Sequence, residues 1–272
     1  MRNILLIQFR KNKLIANQEK KCLLKILKKK GVNLTSENLF LEKAEILSKY
    51  LTRVDGIIIG GSGEFSFSKK NNYLDLFKKI KESAPFIKKA IKKDIPILGI
   101  CLGHQYLSYI FGSKVTSEEK QKEFGTFNVH LTPVGKKDPI FYSIVDNFLA
   151  QQGHEDCVKS LPKNAILLAK SDNCKIEGFK IKNKNVYGVQ FHPELEKKDS
   201  KARLKMAGIK EGIEFKESPL AKKVIINFLK LKQKKTLHHE ESCAMRHRRS
   251  DSNAQPLVLE TNALPIELRR LP

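Results

Sequence analysis

Short apolar runs rich in β-branched residues recur along the chain, and segments of helical spacing lie between them. Residues 3–8 (NILLIQ), 56–59 (GIII) and 95–100 (IPILGI) read as buried strands. Between them, residues 17–30 place Cys22, Leu23, Ile26 and Leu27 on one face, and Gly31 ends the helix. Residues 74–93 read as a helix interrupted near Pro85, and 102–111 as a helix closed by Gly112. A chain that alternates in this way folds as an α/β domain with a mainly parallel central sheet flanked by helices. From residue 124 to 190 the strand-like pieces TFNVHL, AILLA, IEGFKI and VYGVQF follow with little between them, which predicts antiparallel additions to the sheet.

Of the 272 residues, 40% are hydrophobic, enough for a substantial core. The formal charge is +23, and it is unevenly placed. The first 236 residues hold 47 Lys and Arg, only four of them Arg, against 24 acids, while the last 36 hold no Lys, five Arg and five acids. The lysines are spread along the body without an aromatic-interleaved stripe, so a lysine-rich composition accounts for them better than a nucleic-acid surface, and no specific nucleic acid is expected as partner. The composition break divides the chain into a domain at 1–235, closed by a helix at 218–235, and a tail at 236–272 that reads as disordered or foreign. His238, His239 and Cys243 form only a loose trio there. No apolar run approaches the ~20 residues of a membrane span, and no secretory signal is legible. Five scattered cysteines (Cys22, Cys101, Cys157, Cys174, Cys243) lack metal-ligand spacing, which predicts a cytoplasmic protein with neither a disulfide framework nor a metal site.

In open α/β sheets, chemistry collects where strands end. The end at 96–105 carries G-x-C-x-G between a strand and a helix: Gly99 and Gly103 frame Cys101 on a sharp turn, and the helix N-terminus behind it favours the thiolate. A second end, GVQFHPE at 188–194, supplies His192 as a base and Glu194 as the acid that orients it, with Pro193 keeping His192 out of the helical region. The third, at 60–63, is a glycine-rich turn able to present backbone N–H groups, and no Gly-Lys-Ser/Thr follows that would make it a P-loop.

Together, GICLGHQ (99–105), GVQFHPE (188–194) and DGIIIGGSGEF (55–65) resemble the class I glutamine amidotransferases, over some 85% of the chain. The segment from 151 to 194 is similar to the free-standing, GMP-synthase-like branch, whose His-x-Asp, Leu-Pro and Leu-Ala-x-Ser are matched by His154, Asp156, Leu161, Pro162, Leu168, Ala169 and Ser171. The resemblance implies a flavodoxin-like glutaminase fold and a Cys101–His192–Glu194 triad. It also implies an oxyanion hole at Gly61 or Ser62 and Leu102, and substrate contacts at Gln105 and His154. The substrate would be glutamine or another γ-glutamyl compound, cleaved through a glutamyl thioester with neither metal nor organic cofactor. The 38 residues after Lys234 are too few for an ATP pyrophosphatase domain, so any synthase step falls to a separate subunit. Two alternatives stay open: a γ-glutamyl peptidase of the same fold, and a catalytically silent regulatory module.

Overall fold

The computed structural model describes residues 1–68, 70–209 and 212–231. The expected tail at 236–272 lies outside the described residues. Of the helix expected at 218–235, only Lys223–Phe228 is helical among the described residues, with a turn at 219–222 before it in place of a start at Ser218. The chain separates near residue 234 into two units, and everything below concerns the first.

Strand β1 (Arg2–Gln8) leads into α1 (Lys13–Leu27). The helix starts four residues earlier than its apolar face suggests, because the Asn12 side chain accepts from the N–H groups of Leu14 and Ile15. It ends in a 3₁₀ turn closed by Gly31 at φ 62°. Strands β2 (Val32–Asn38) and β3 (Gly56–Ile59) follow. Helix α2 (Lys70–Lys92) runs unbroken through Pro85, against the expected interruption; Ala84, Phe86, Ile87 and Ala90 are buried around the proline, and this packing holds the helix together. Next come β4 (Ile97–Ile100), α3 (Leu102–Ile110) and β5 (Val115–Ser117). The second half is mostly strand: β6 (Glu123–Leu131), β7 (Asn147–His154), β8 (Asp156–Val158), β9 (Ala165–Lys170), β10 (Gly178–Ile181) and β11 (Val186–Val189). Helices α4 (Lys197–Met206) and α5 (Lys223–Phe228) close the described chain.

The nine-stranded sheet has the order β2-β1-β3-β4-β11-β10-β9-β6-β7. From β2 to β11 neighbours run parallel, and from β11 to β7 they run antiparallel. The parallel half therefore has the doubly wound, flavodoxin-like order, with the antiparallel strands as an extension. Its strands are apolar on both faces, as a sheet covered by helices on each side requires: all four residues of β3, β4 and β11 are buried. The register is what places the site. Ile59 pairs with Gly99, Gly99 with Gly188, and Ile100 with Val189, so β3, β4 and β11 end at one level. No described helix is long and apolar enough to cross a membrane.

Candidate active site

Cys101 follows β4 directly and caps α3, with φ 51° and ψ −104°. A non-glycine residue in that region is strained, and it persists because the flanking chain leaves no other course. A Cβ on Gly99 would lie 2.4 Å from the Gly103 carbonyl oxygen, and one on Gly103 would lie 2.2 Å from that of Ile59. Only glycines let the strand, the turn and the helix approach this closely, which is the physical content of G-x-C-x-G. The N–H of Leu102, the first helical residue, has no partner within the helix by construction.

His192 lies just past β11 and is held by a bridge to Gln151 of β7, its N–H donating to the Gln151 carbonyl at 2.8 Å. Its Nδ1 sits 2.8 Å from Glu194 Oε1, and it lines the same cleft as Cys101, whose sulfur accepts from Gln190 Nε2 at 3.7 Å. Cys101, His192 and Glu194 are all buried. Burial works against charge on each, and the mutual contacts overcome it. His192 is lifted to about 9 by Glu194 and Cys101, and Glu194 falls to about 2 under His192 and then Arg203. The Cys101 thiol is drawn below its ordinary value, against its burial, by His192, His154 and Arg10. The other described cysteines move the opposite way: burial pushes Cys22 to about 12, Cys157 to about 11, and Cys174 further up. Of the four described cysteines, only Cys101 has surroundings that favour the thiolate.

The glycine turn after β3 packs against both partners. A Cβ on Gly61 would come within 2.8 Å of His192 Cε1 and 3.2 Å of Cys101 Cβ, so this position must be bare. The Gly61 N–H itself donates to Glu19 Oε1 at 3.1 Å. Of the three residues expected at an oxyanion hole, Gly61 is thus engaged elsewhere in this conformation, while Ser62 and Leu102 stand beside the sulfur's cleft and on its turn. That cleft has a volume of about 490 Å³ and is lined by Cys101, His192, Gln105, His154, Arg10 and Arg203, among others.

Comparison with known proteins gives the family. The family model "Glutamine amidotransferase class-I" matches residues 15–210. The chain belongs to the class I glutamine amidotransferase family. Among curated relatives, the glutamine-hydrolyzing GMP synthase subunit of Methanocaldococcus jannaschii is 36% identical over 142 residues, covering 52% of this chain and 65% of that protein. Its counterpart in Picrophilus torridus is 37% identical over 148 residues, covering 53% and 70%, and that of Methanosphaera stadtmanae is 41% identical over 106 residues, covering 39% and 55%. The matched stretches thus span roughly half to two thirds of these relatives. A glutamine amidotransferase structure from Thermotoga maritima superposes with a TM-score of 0.63 at 22% identity, over 84% of this chain and 96% of that one. One from Methylobacillus flagellatus gives 0.61 at 16%, over 89% and 100%. At these identities the structures speak to the amidotransferase fold alone.

Of the two residues expected to contact substrate, Gln105 is tied into the cleft wall: its Nε2 donates to the Asp156 carbonyl at 2.8 Å and to Gln190 Oε1 at 3.3 Å. Asp156 in turn accepts from Ser66 Oγ, the Phe67 N–H and Ser68 Oγ, anchoring the chain beyond the glycine turn. His154 lines the cleft but is buried, facing Glu123 at 3.5 Å and Glu177 at 3.8 Å. Against the cost of burial these two carboxylates lift it to about 10.

Two further residues that touch the Glu194 carboxylate or the glycine turn are absent from the sequence motifs. Arg203, on α4, donates to Glu194 Oε1 at 3.0 Å from Nη1 and to Gln18 Oε1 at 2.8 Å from Nε. Glu19, on α1, accepts from Arg10 Nη2 at 3.0 Å and from Gln8 Nε2 at 2.8 Å as well as from Gly61. The one available signal was rarity: Arg10 and Arg203 are two of only four arginines among the first 236 residues.

Proposed function

We propose that this chain hydrolyses the side-chain amide of glutamine and passes the ammonia to a synthase carried on a separate polypeptide. The observation that supports this most is a single imidazole between the Cys101 sulfur and the Glu194 carboxylate, at the level ends of β4 and β11. The Cys101 thiolate attacks the glutamine γ-amide carbon. The oxyanion is met by the N–H groups of Leu102 and Ser62, each such donor contributing about 3 kcal/mol to transition-state stabilisation. Protonated His192 delivers its proton to the departing ammonia, leaving a glutamyl thioester on sulfur. His192, neutral again, takes a proton from water as that water attacks the thioester, and glutamate leaves with the thiolate restored. Glu194 holds the imidazole in the required tautomer throughout.

The GMP synthase relatives suggest the nucleotide as the ammonia's destination. The test is a side-by-side assay of the purified chain on glutamine and on γ-glutamyl dipeptides, with and without a GMP-synthase-type ATP pyrophosphatase subunit. Glutamine turnover that rises when the subunit is present supports the proposal. Fast, partner-independent cleavage of γ-glutamyl dipeptides with negligible glutamine turnover would make the chain a γ-glutamyl peptidase instead.

A further inference from the structure

His154, Cys174 and Glu177 each offer one ligand atom, and these atoms lie within 4.8 Å of one another. All three residues are buried, and so is Glu123, whose Oε2 is 3.5 Å from His154 Nε2. Glu177 Oε1 stands 3.8 Å from the same nitrogen. Neither distance is a hydrogen bond. Ligands ~2.0–2.3 Å from one tetrahedral metal lie roughly 3.3–3.8 Å apart; His154 and Glu177 stand at 3.8 Å, and Cys174 lies within 4.8 Å of both.

The carboxylates are held as metal ligands are held. Each has one oxygen anchored by a donor: Ser171 Oγ gives to Glu123 Oε1 at 2.6 Å, and Gln152 Nε2 gives to Glu177 Oε2 at 2.7 Å. Each has its other oxygen buried without a hydrogen-bond partner, as are both ring nitrogens of His154. Anchoring by a second layer of hydrogen bonds leaves one oxygen of each carboxylate turned toward His154. Charge points the same way, since two carboxylates face one imidazole, and a divalent cation would balance both acids with the histidine neutral.

We infer that His154, Cys174 and Glu177 bind one divalent transition-metal ion, with Glu123 beside the histidine as a further negative charge and zinc as the best match to a nitrogen, sulfur and oxygen donor set. His154 also lines the Cys101 cleft, so the site adjoins that chemistry without resting on its assignment. The metal would tie the end of β7 to the segment between β9 and β10. On binding, Cys174 loses its thiol proton to solvent and a sulfur–metal bond forms. The cysteine pattern hid this grouping because its members, Glu123 included, are scattered over 55 positions and meet only through the antiparallel strands.

The test uses the full chain in a Cys101→Ala background, so that the active-site sulfur does not contribute. After stripping with a chelator, zinc is titrated against a competing chromophoric chelator. One equivalent should bind. Adding Cys174→Ala or Glu177→Gln should weaken binding by about 10-fold or more, whereas Cys243→Ala should not. Cobalt in place of zinc should give a thiolate-to-cobalt charge-transfer band, and because this is read without altering any of the three ligands it stands even if a ligand variant fails to fold. No stoichiometric binding, binding insensitive to both substitutions, or a cobalt spectrum without the sulfur band would each overturn the assignment and leave His154 as a buried counter-charge to its two acids.

Discussion

His192 lies 2.8 Å from one carboxylate, and His154 lies 3.5 and 3.8 Å from two. Both histidines are buried, and both hold a proton more tightly than an ordinary imidazole, at about 9 and about 10. Their surroundings differ in one respect. Around His192 the nearer carboxylate oxygen accepts from the imidazole and also from Arg203 at 3.0 Å, which fixes the proton at one atom and the ring in one orientation. Around His154 the charges are present but the hydrogen bonds are not. The first arrangement suits proton transfer, where geometry must be settled before the reaction. The second supplies field and donor atoms without settling a proton.

Removing the sulfur is the most severe way to break the His192 arrangement. Cys101→Ala should lower glutamine turnover by about 10³-fold or more while leaving the thermal transition in place. Gly61→Ala should come next, with a loss of about 10²-fold in kcat. Its Cβ would meet His192 Cε1 at 2.8 Å and push the ring off the sulfur.

Arg203→Met sharpens the comparison, because it makes the Glu194 pair more like an unclamped one. The expected loss in kcat is about 10-fold, with a shift in the pH profile. His192 must be protonated to give its proton to ammonia, so kcat/KM should decline as pH rises through about 9. Removing the cation beside Glu194 leaves more negative charge facing His192, which then keeps its proton to higher pH, so the alkaline limb should move up. A limb that stays put would show that Arg203 does not act through Glu194.

Glu19→Gln should have the smallest effect on rate, a few-fold, read as kcat, since it loosens the Gly61 amide without touching the sulfur or the imidazole. Its effect on stability should be larger. The substitution leaves the buried Arg10 guanidinium without its counter-charge, at a cost of about 3 kcal/mol in denaturant unfolding.

The same contrast explains what the sequence made legible. Cys101, His192 and Glu194 sit within short continuous motifs, since a nucleophile turn and a strand end are local events whose glycine and proline requirements are written beside them. The parallel strands β1, β3 and β4 were legible for a related reason, because strands buried on both faces are uniformly apolar. Strand β11 was legible as a strand, but it pairs parallel with β4 rather than standing among the antiparallel additions, because its four residues are buried beside the nucleophile strand. Strand β2 (VNLTSEN) is partly exposed at the sheet edge and carries no such run, so it passed unseen. Helix α4 was missed because KKDSKARLKM has only Ser200 buried and hence no apolar face to detect. Arg203 was lost with it. Glu19 and the group around His154 depend on residues distant in sequence, and no local spacing announces them.

Among the described cysteines, Cys101 alone is drawn toward the thiolate that attack on a γ-glutamyl carbon requires. Treating the protein at neutral pH with a glutamine-mimicking electrophile, then mapping adducts by peptide mass spectrometry, tests it directly. The account predicts a single adduct on Cys101, with Cys22, Cys157 and Cys174 unlabelled because burial raises their thiols. Labelling spread evenly over the cysteines, or Cys101 left unmodified while the others react, would contradict it.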